Sequence, residues 1–237
     1  MFRFDNQRVL IVGGSSGIGF AAAAGFAEAG ASVTIAARNL ERLKQAAAKL
    51  GRGVQAAQLD VTDDKAVEQF FEREAPWRHV VVSGSSVSFG PARKLPLFDA
   101  YAAMNSKFWG AYRVARVARI ESEGSLTLVS GVLSRRPSPD AVLQGAINAG
   151  LEVLAQGLAL ELSPVRVNTV SPGMIVTPLW DGIPEDKRRT MFEATAAQLP
   201  TKRVGQPEDV ANAILYLAAT PFASGSTVFV DGGGAIA

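Results

Sequence analysis

The chain has no cysteine and a single histidine, His79, among 237 residues. Without cysteine there is neither a disulfide framework nor a thiolate metal site, and one histidine argues against an imidazole-based one; no metal centre is expected. No apolar run reaches the roughly 18 residues of a membrane span. Met1 stands only a few residues ahead of the first apolar run, which leaves no room for a signal peptide and points to the cytoplasm. Blocks of like charge are also missing. Lys and Arg are scattered and the net charge is only +2, so there is no basic footprint for nucleic acid. With 48% hydrophobic and 19% charged residues, and no repeat, linker or low-complexity segment, the expectation is one folded domain over residues 1–237.

What is present is organised around residues 9–19, VLIVGGSSGIG. An apolar strand stops at a pair of glycines and restarts as a helix. Gly13, Gly17 and Gly19 supply the turn and the close approach that a dinucleotide pyrophosphate requires, the phosphates lying on unpaired N–H groups at the positive end of the helix. Glycines also occur in such turns merely because the backbone needs a positive φ, so the remaining chain has to decide. Further strands are expected at 32–37, 55–60, 79–83, 125–130, 165–171 and 227–230, and helices at 40–50, 62–74, 97–120, 141–162 and 207–218. The stretch 177–200, with Pro178, Pro184 and Pro200, reads as irregular, mobile and lid-like. Seven strands alternating with helices imply an α/β fold: a doubly wound parallel sheet, helices on both faces, with ligands at the carboxyl ends of the strands.

Landmarks recur in order: the glycine turn; Asp60 and Val61 after the third strand; Ser171, Pro172 and Gly173 followed by Thr177; Arg203, Gly205 and Pro207; then Asp231, Gly232 and Gly233. In these the chain resembles the short-chain dehydrogenase/reductase family over essentially its whole length. The resemblance implies a Rossmann-type oxidoreductase acting on a small-molecule carbonyl or alcohol, and a homodimer or homotetramer packed through its two long helices. It places cofactor contacts at Gly13, Ser15, Ser16, Gly17, Ile18 and Gly19 in the turn, at Asp60 and Val61 near adenine, and at Pro172, Gly173 and Thr177 near the nicotinamide. Ala37 stands where a carboxylate would accept a ribose 2′-hydroxyl, and the guanidinium of Arg38 could grip a 2′-phosphate. NADP is therefore the expected cofactor, with NAD the alternative and a solvated Arg38 the competing reading.

The resemblance breaks at the catalytic positions. The family uses a Tyr as acid/base, a Lys four residues later, a Ser thirteen residues before the Tyr and an Asn on the preceding long helix. Alignment on residues 157–162, GLALEL, puts Gln144 at the Tyr position, Asn148 at the Lys, Gly131 at the Ser with Ser130 beside it, and Lys107 at the Asn. A Gln amide can orient a carbonyl by donating a hydrogen bond but cannot transfer a proton near neutral pH. Asn148, one helical turn from Gln144 on the same face, can bond ribose hydroxyls. Lys107 could supply the missing charge, or act as a general acid if desolvated; the competing reading is an exposed Lys on a long helix. Tyr101, Tyr112 and Tyr216 read as packing residues and His79 as structural or solvated. Arg135 and Arg136 either attract an anionic substrate or belong to a solvated loop. Two functions stay open: an NADP-dependent oxidoreductase whose altered catalytic set is Ser130, Gln144, Asn148 and Lys107, and a catalytically inactive NADP-binding sensor or partner subunit.

Overall fold

The first strand, β1 (Arg8–Val12), is apolar from Val9 onward because both of its faces are covered there in the computed structural model, which describes residues 2–84 and 86–237. Val9 and Ile11 enter one core with Phe26, Ile35 and Ile214, while Leu10 and Val12 enter another with Phe71, Leu126 and Ile147, the two-residue period of a strand buried on both sides. With β2 (Ser32–Ala37), β3 (Gln55–Gln58), β4 (Trp77–Val82), β5 (Ile120–Val129), β6 (Arg166–Pro172) and β7 (Thr227–Val230) it forms a seven-stranded sheet ordered β3-β2-β1-β4-β5-β6-β7. Every pair is parallel. Helices α1 (Gly17–Glu28) and α2 (Leu40–Leu50) cover one face; α3 (Asp64–Arg73), α4 (Leu97–Met104), α5 (Gly110–Val117) and α6 (Val142–Glu161) cover the other. After β6 come α7 (Glu185–Gln198) and α8 (Pro207–Ala219), the latter packed on α1.

Strand order turns back between β1 and β4, and such a switch point opens a crevice at the carboxyl ends. The Ser83 and Gly84 amides both donate to the Val12 carbonyl, at 2.9 and 3.1 Å. A Cβ on Gly84 would lie 2.7 Å from Gly13 Cα, so only facing glycines let the two strand ends meet. At the far edge, Arg203 pairs with Asp209 at 2.6 Å, and Asp209 also accepts from the Gln206 amide to box the start of α8. The guanidinium holds the Asp209 carboxyl down at about 2.

Several elements differ from the sequence reading. The helix expected over 97–120 is interrupted by a π-helical turn, Asn105–Trp109, and ends at Val117; Ile120 already belongs to β5. Alanine-rich periodicity hides such a turn because one inserted residue leaves the composition unchanged. β3 stops at Gln58, which leaves Asp60 in a loop. The segment expected to be irregular holds a short 3₁₀ turn, Pro178–Trp180, and the fourteen-residue α7, whose start Pro184 suits through its fixed φ. Tyr101, Tyr112 and Tyr216 are 69%, 41% and 46% exposed, so they do not pack the core. His79 lies inside β4 at 3% exposure, its ring nitrogens 2.8 Å from Ser125 Oγ and Gln7 Oε1; it is structural. Among the described residues no helix is long and apolar enough to cross a membrane.

Candidate active site

A cleft of about 1030 Å³ opens along the carboxyl edge of the sheet. One end is walled by the β1–α1 turn, where Gly13, Ser16, Gly17, Ile18 and Gly19 line it. Gly13 and Gly17 have φ of +88° and +55°, values that only glycine adopts at no cost. A Cβ at Gly19 would collide with the Gly13 carbonyl, so α1 begins tight against the turn. Ser16 makes no side-chain cap on α1, and the first turn holds no acidic residue. The leading amides therefore meet no competing carboxylate and favour an anion. Pro172, Gly173 and Thr177 line the same cleft, and the Thr177 methyl would sit 3.2 Å from a Cβ on Gly17. This glycine-lined cradle fits a dinucleotide.

The other cofactor candidates stand outside the cleft wall. Arg38 is exposed, its Nη2 3.3 Å from Ser86 Oγ. Ser15 is half-buried in the turn. Asp60 Oδ1 accepts from the Thr62 amide and hydroxyl at 2.9 and 2.7 Å, and Val61 packs where Gly110 leaves room. Arg42, in the first turn of α2, does line the cleft and was not singled out in the sequence.

Lys107, Ser130, Gln144 and Asn148 converge on one wall. The π-helical turn presents Lys107 inward, and its Nζ donates to Asn148 Oδ1 at 2.6 Å and to the Ser130 carbonyl at 2.9 Å. Burial, with no anion to offset it, pushes the amine down to about 8. Gln144 and Asn148 are 2% and 3% exposed on α6. Gln144 Nε2 donates to the Ser88 carbonyl at 3.2 Å. Gly131 lies beside Asn148: a Cβ there would come within 2.7 Å of Asn148 Nδ2.

Ser130 is at the site, but its hydroxyl donates to Glu152 Oε1 at 3.0 Å and is not free to polarise a carbonyl. Glu152, 6% exposed, also accepts from Ser134 Oγ at 2.6 Å. Sequence reasoning missed Glu152. The signal was available, since 144, 148 and 152 are successive i+4 positions carrying polar residues on an otherwise apolar stripe of α6. Arg136 lines the cleft with its Nη1 donating to the Gly234 carbonyl at 2.7 Å, whereas Arg135 lies over the Phe229 ring.

A family model described as enoyl-(acyl carrier protein) reductase matches residues 12–234. The short-chain dehydrogenase/reductase malC of Malbranchea aurantiaca is 32% identical over 231 residues, 89% of this chain and 88% of its own. The chain belongs to the short-chain dehydrogenase/reductase family. Another relative in that family is the 3-oxoacyl-acyl-carrier-protein reductase FabG of Thermotoga maritima, 30% identical over 246 residues and 98% of each chain. Among solved structures, a small-chain dehydrogenase in complex with NADPH is similar at a TM-score of 0.82 and 31% identity, covering 98% of this chain and 100% of the other. The MalC reductase/Diels-Alderase structure is similar at a TM-score of 0.88 and 29% identity, covering 97% and 96%. Within the short-chain dehydrogenase/reductase fold, the cradle and the polar wall described above share one cleft, so a nucleotide held at α1 and a substrate beside Lys107 would meet.

Proposed function

We propose that this short-chain dehydrogenase/reductase is an NADP(H)-dependent oxidoreductase interconverting a carbonyl and an alcohol, with Lys107 exchanging the proton at the substrate oxygen. The observation that carries this reading is the Lys107 ammonium on the cleft wall, bonded to Asn148 and Ser130. Alignment puts the family's Lys at Asn148 and its Asn at Lys107, so amine and amide have traded helices. NADPH, when bound, supplies the hydride for a carbonyl carbon. Two of the three Lys107 N–H groups are held by protein acceptors, leaving one for the substrate oxygen. An acid whose pKa lies near the working pH both carries its proton and releases it, and about 8 meets that requirement. Asn148 and Ser130 hold the amine in place, and Glu152 fixes Ser130 from behind.

NADP is favoured over NAD because Ala37 offers no carboxylate to a 2′-hydroxyl and Arg38 stands exposed at the end of β2 beside Ser86. A relative solved with NADPH supports the same choice. Exposed Phe98, Tyr101 and Val153 on α4 and α6 favour a homodimer or homotetramer through those helices.

Titration with NADPH and NADH, followed by a carbonyl and alcohol screen on the wild type and Lys107→Met, tests the reading. NADPH is expected to bind more tightly than NADH, and Lys107→Met is expected to lose most of the turnover while still binding NADPH. Unchanged turnover in Lys107→Met, or failure of both nucleotides to bind at millimolar concentration, would overturn it. Binding with turnover only after Gln144→Tyr with Asn148→Lys would instead identify a sensor.

A further inference from the structure

Lys107 reaches the cleft from a π-helical turn, Asn105–Trp109. Such turns are rare inside helices and persist where surrounding contacts favour them. Successive helical residues point about 100° apart, and Gly110, Ala111, Val114 and Ala115 bury one face of α5, so relaxation of the turn to α-helical spacing would swing Lys107 off the wall. Whatever holds the turn therefore aims the amine. Three successive residues of it are tied to other parts of the fold. Lys107 Nζ donates to Asn148 Oδ1 and to the Ser130 carbonyl, Ser106 Oγ accepts from the Ser86 amide at 2.8 Å, and the Asn105 carbonyl accepts from Arg113 Nη1 at 3.3 Å.

Two arginines leave α5 toward carboxylates of α3, and they differ in what else they touch. The Arg116 side chain is 64% exposed and meets only Glu68, at 3.3 Å. The Arg113 side chain is 20% exposed: its Nε donates to Asp64 Oδ1, and its Nη1 donates to the carbonyls of Val61 and Asn105, each at 3.3 Å. A guanidinium presents its N–H groups in one rigid plane, so a carboxylate can fix that plane while another N–H group serves the carbonyls. An ammonium has no such plane. The far end of the brace is firm as well, because loop 60–64 is seated directly on α5: a Cβ on Gly110 would come within 2.8 Å of Val61 Cγ2.

We propose that Arg113 is a positioning residue: fastened to Asp64 and Val61, it holds the Asn105 carbonyl of the π-helical turn and so keeps Lys107 directed at Asn148 and Ser130 on the cleft wall. The proposal rests on the Lys107 reading above and adds which residue aims the amine.

The test reads the placement of Lys107 without using activity. Burial holds its amine at about 8 instead of 10.5, so between these values the unfolded chain binds more protons and stability rises with pH. Around Lys107 stand Ser83, Gly84, Val129, Ser130 and Asn148, none of which titrates in that range, with Glu152 behind Ser130. Urea unfolding of the full chain from about pH 8 to 10 gives the rise for the wild type, Arg113→Met and Arg113→Lys, and Lys107→Met supplies the share due to all other groups. Arg113→Met is expected to lose most of the Lys107-dependent rise, and Arg113→Lys, which keeps the charge without the plane, to lose it as well. In the carbonyl and alcohol screen, kcat of Arg113→Met is expected to fall about tenfold or more while KM changes less than about threefold. A rise kept whole in Arg113→Met beside a pH-independent loss of stability would overturn the proposal, as would a wild type without the rise, or a loss of turnover carried by KM alone. If Arg113→Met does not fold, Arg113→Lys decides by the same criteria. Failure of NADPH binding, or unchanged turnover in Lys107→Met, overturns the functional reading instead, and leaves the comparison of stabilities as measured.

Discussion

The Lys107 ammonium donates to Asn148 Oδ1 across 2.6 Å, from a π-helical turn on one helical segment to the middle of the next. Because the lysine comes from the turn and the asparagine from α6, the charge is carried by a different helical segment from the one the family pattern implies. Its pH behaviour follows from that placement.

In the proposed mechanism carbonyl reduction needs Lys107 protonated, so its rate is expected to fall as pH rises through about 8, while alcohol oxidation rises through the same range. Stability has its own sign. The folded pKa lies below the ordinary 10.5, so between about 8 and 10.5 the unfolded chain binds more protons and stability increases with pH. Rate profiles and urea unfolding of the wild type and Lys107→Met across this range check both; the variant is expected to show no such rise in stability.

Gly131→Ala places a Cβ 2.7 Å from Asn148 Nδ2. That atom ends a flexible side chain and can move, so the loss of stability is expected to be small. The displaced amide no longer holds Lys107, and turnover is expected to fall on the order of ten- to a hundredfold. A lowered melting temperature with unchanged kcat would contradict this account.

Glu152→Ala removes the acceptor shared by the Ser130 and Ser134 hydroxyls. Losing these two bonds, with the hydroxyls left on longer contacts to the Val170 and Gly131 carbonyls at 3.4 and 3.2 Å, is expected to cost about 1–3 kcal/mol, read from denaturant midpoints. Glu152→Gln keeps an acceptor oxygen and is expected to lose less.

Arg38→Ala tests the proposed 2′-phosphate contact. NADPH affinity is expected to drop about ten- to a hundredfold, the value of a charge-assisted bond, with NADH affinity unmoved. Equal loss for both nucleotides would place Arg38 elsewhere in the site.

His79 is held neutral, its pKa pushed down to about 3 first by burial and then by Arg166 and Arg78. Below the ordinary 6.5 the unfolded chain takes up the proton first, so this residue contributes stability that is lost as pH falls from about 6.5 toward 3. Acid unfolding followed by circular dichroism is expected to be shallower in His79→Gln.

The sequence by itself determined the alternation of strands and helices and the glycine turn. A strand buried on both faces must be apolar at both parities, as Val9 to Val12 are, and positive φ at Gly13 and Gly17 admits almost no other residue. It also named Lys107, Gln144 and Asn148 through their alignment. Only the tertiary structure decided which way their groups face, because that depends on contacts distant in the chain. Ser88 turns the Gln144 amide, Asn148 accepts a hydrogen bond from Lys107 across forty-one positions, and Glu152 draws the Ser130 hydroxyl away from the cleft. The π-helical turn that aims Lys107 inward stayed hidden because packing against neighbouring elements, rather than local pattern, stabilises it; α7 stayed hidden because it buries no residue and so shows no apolar stripe in the sequence.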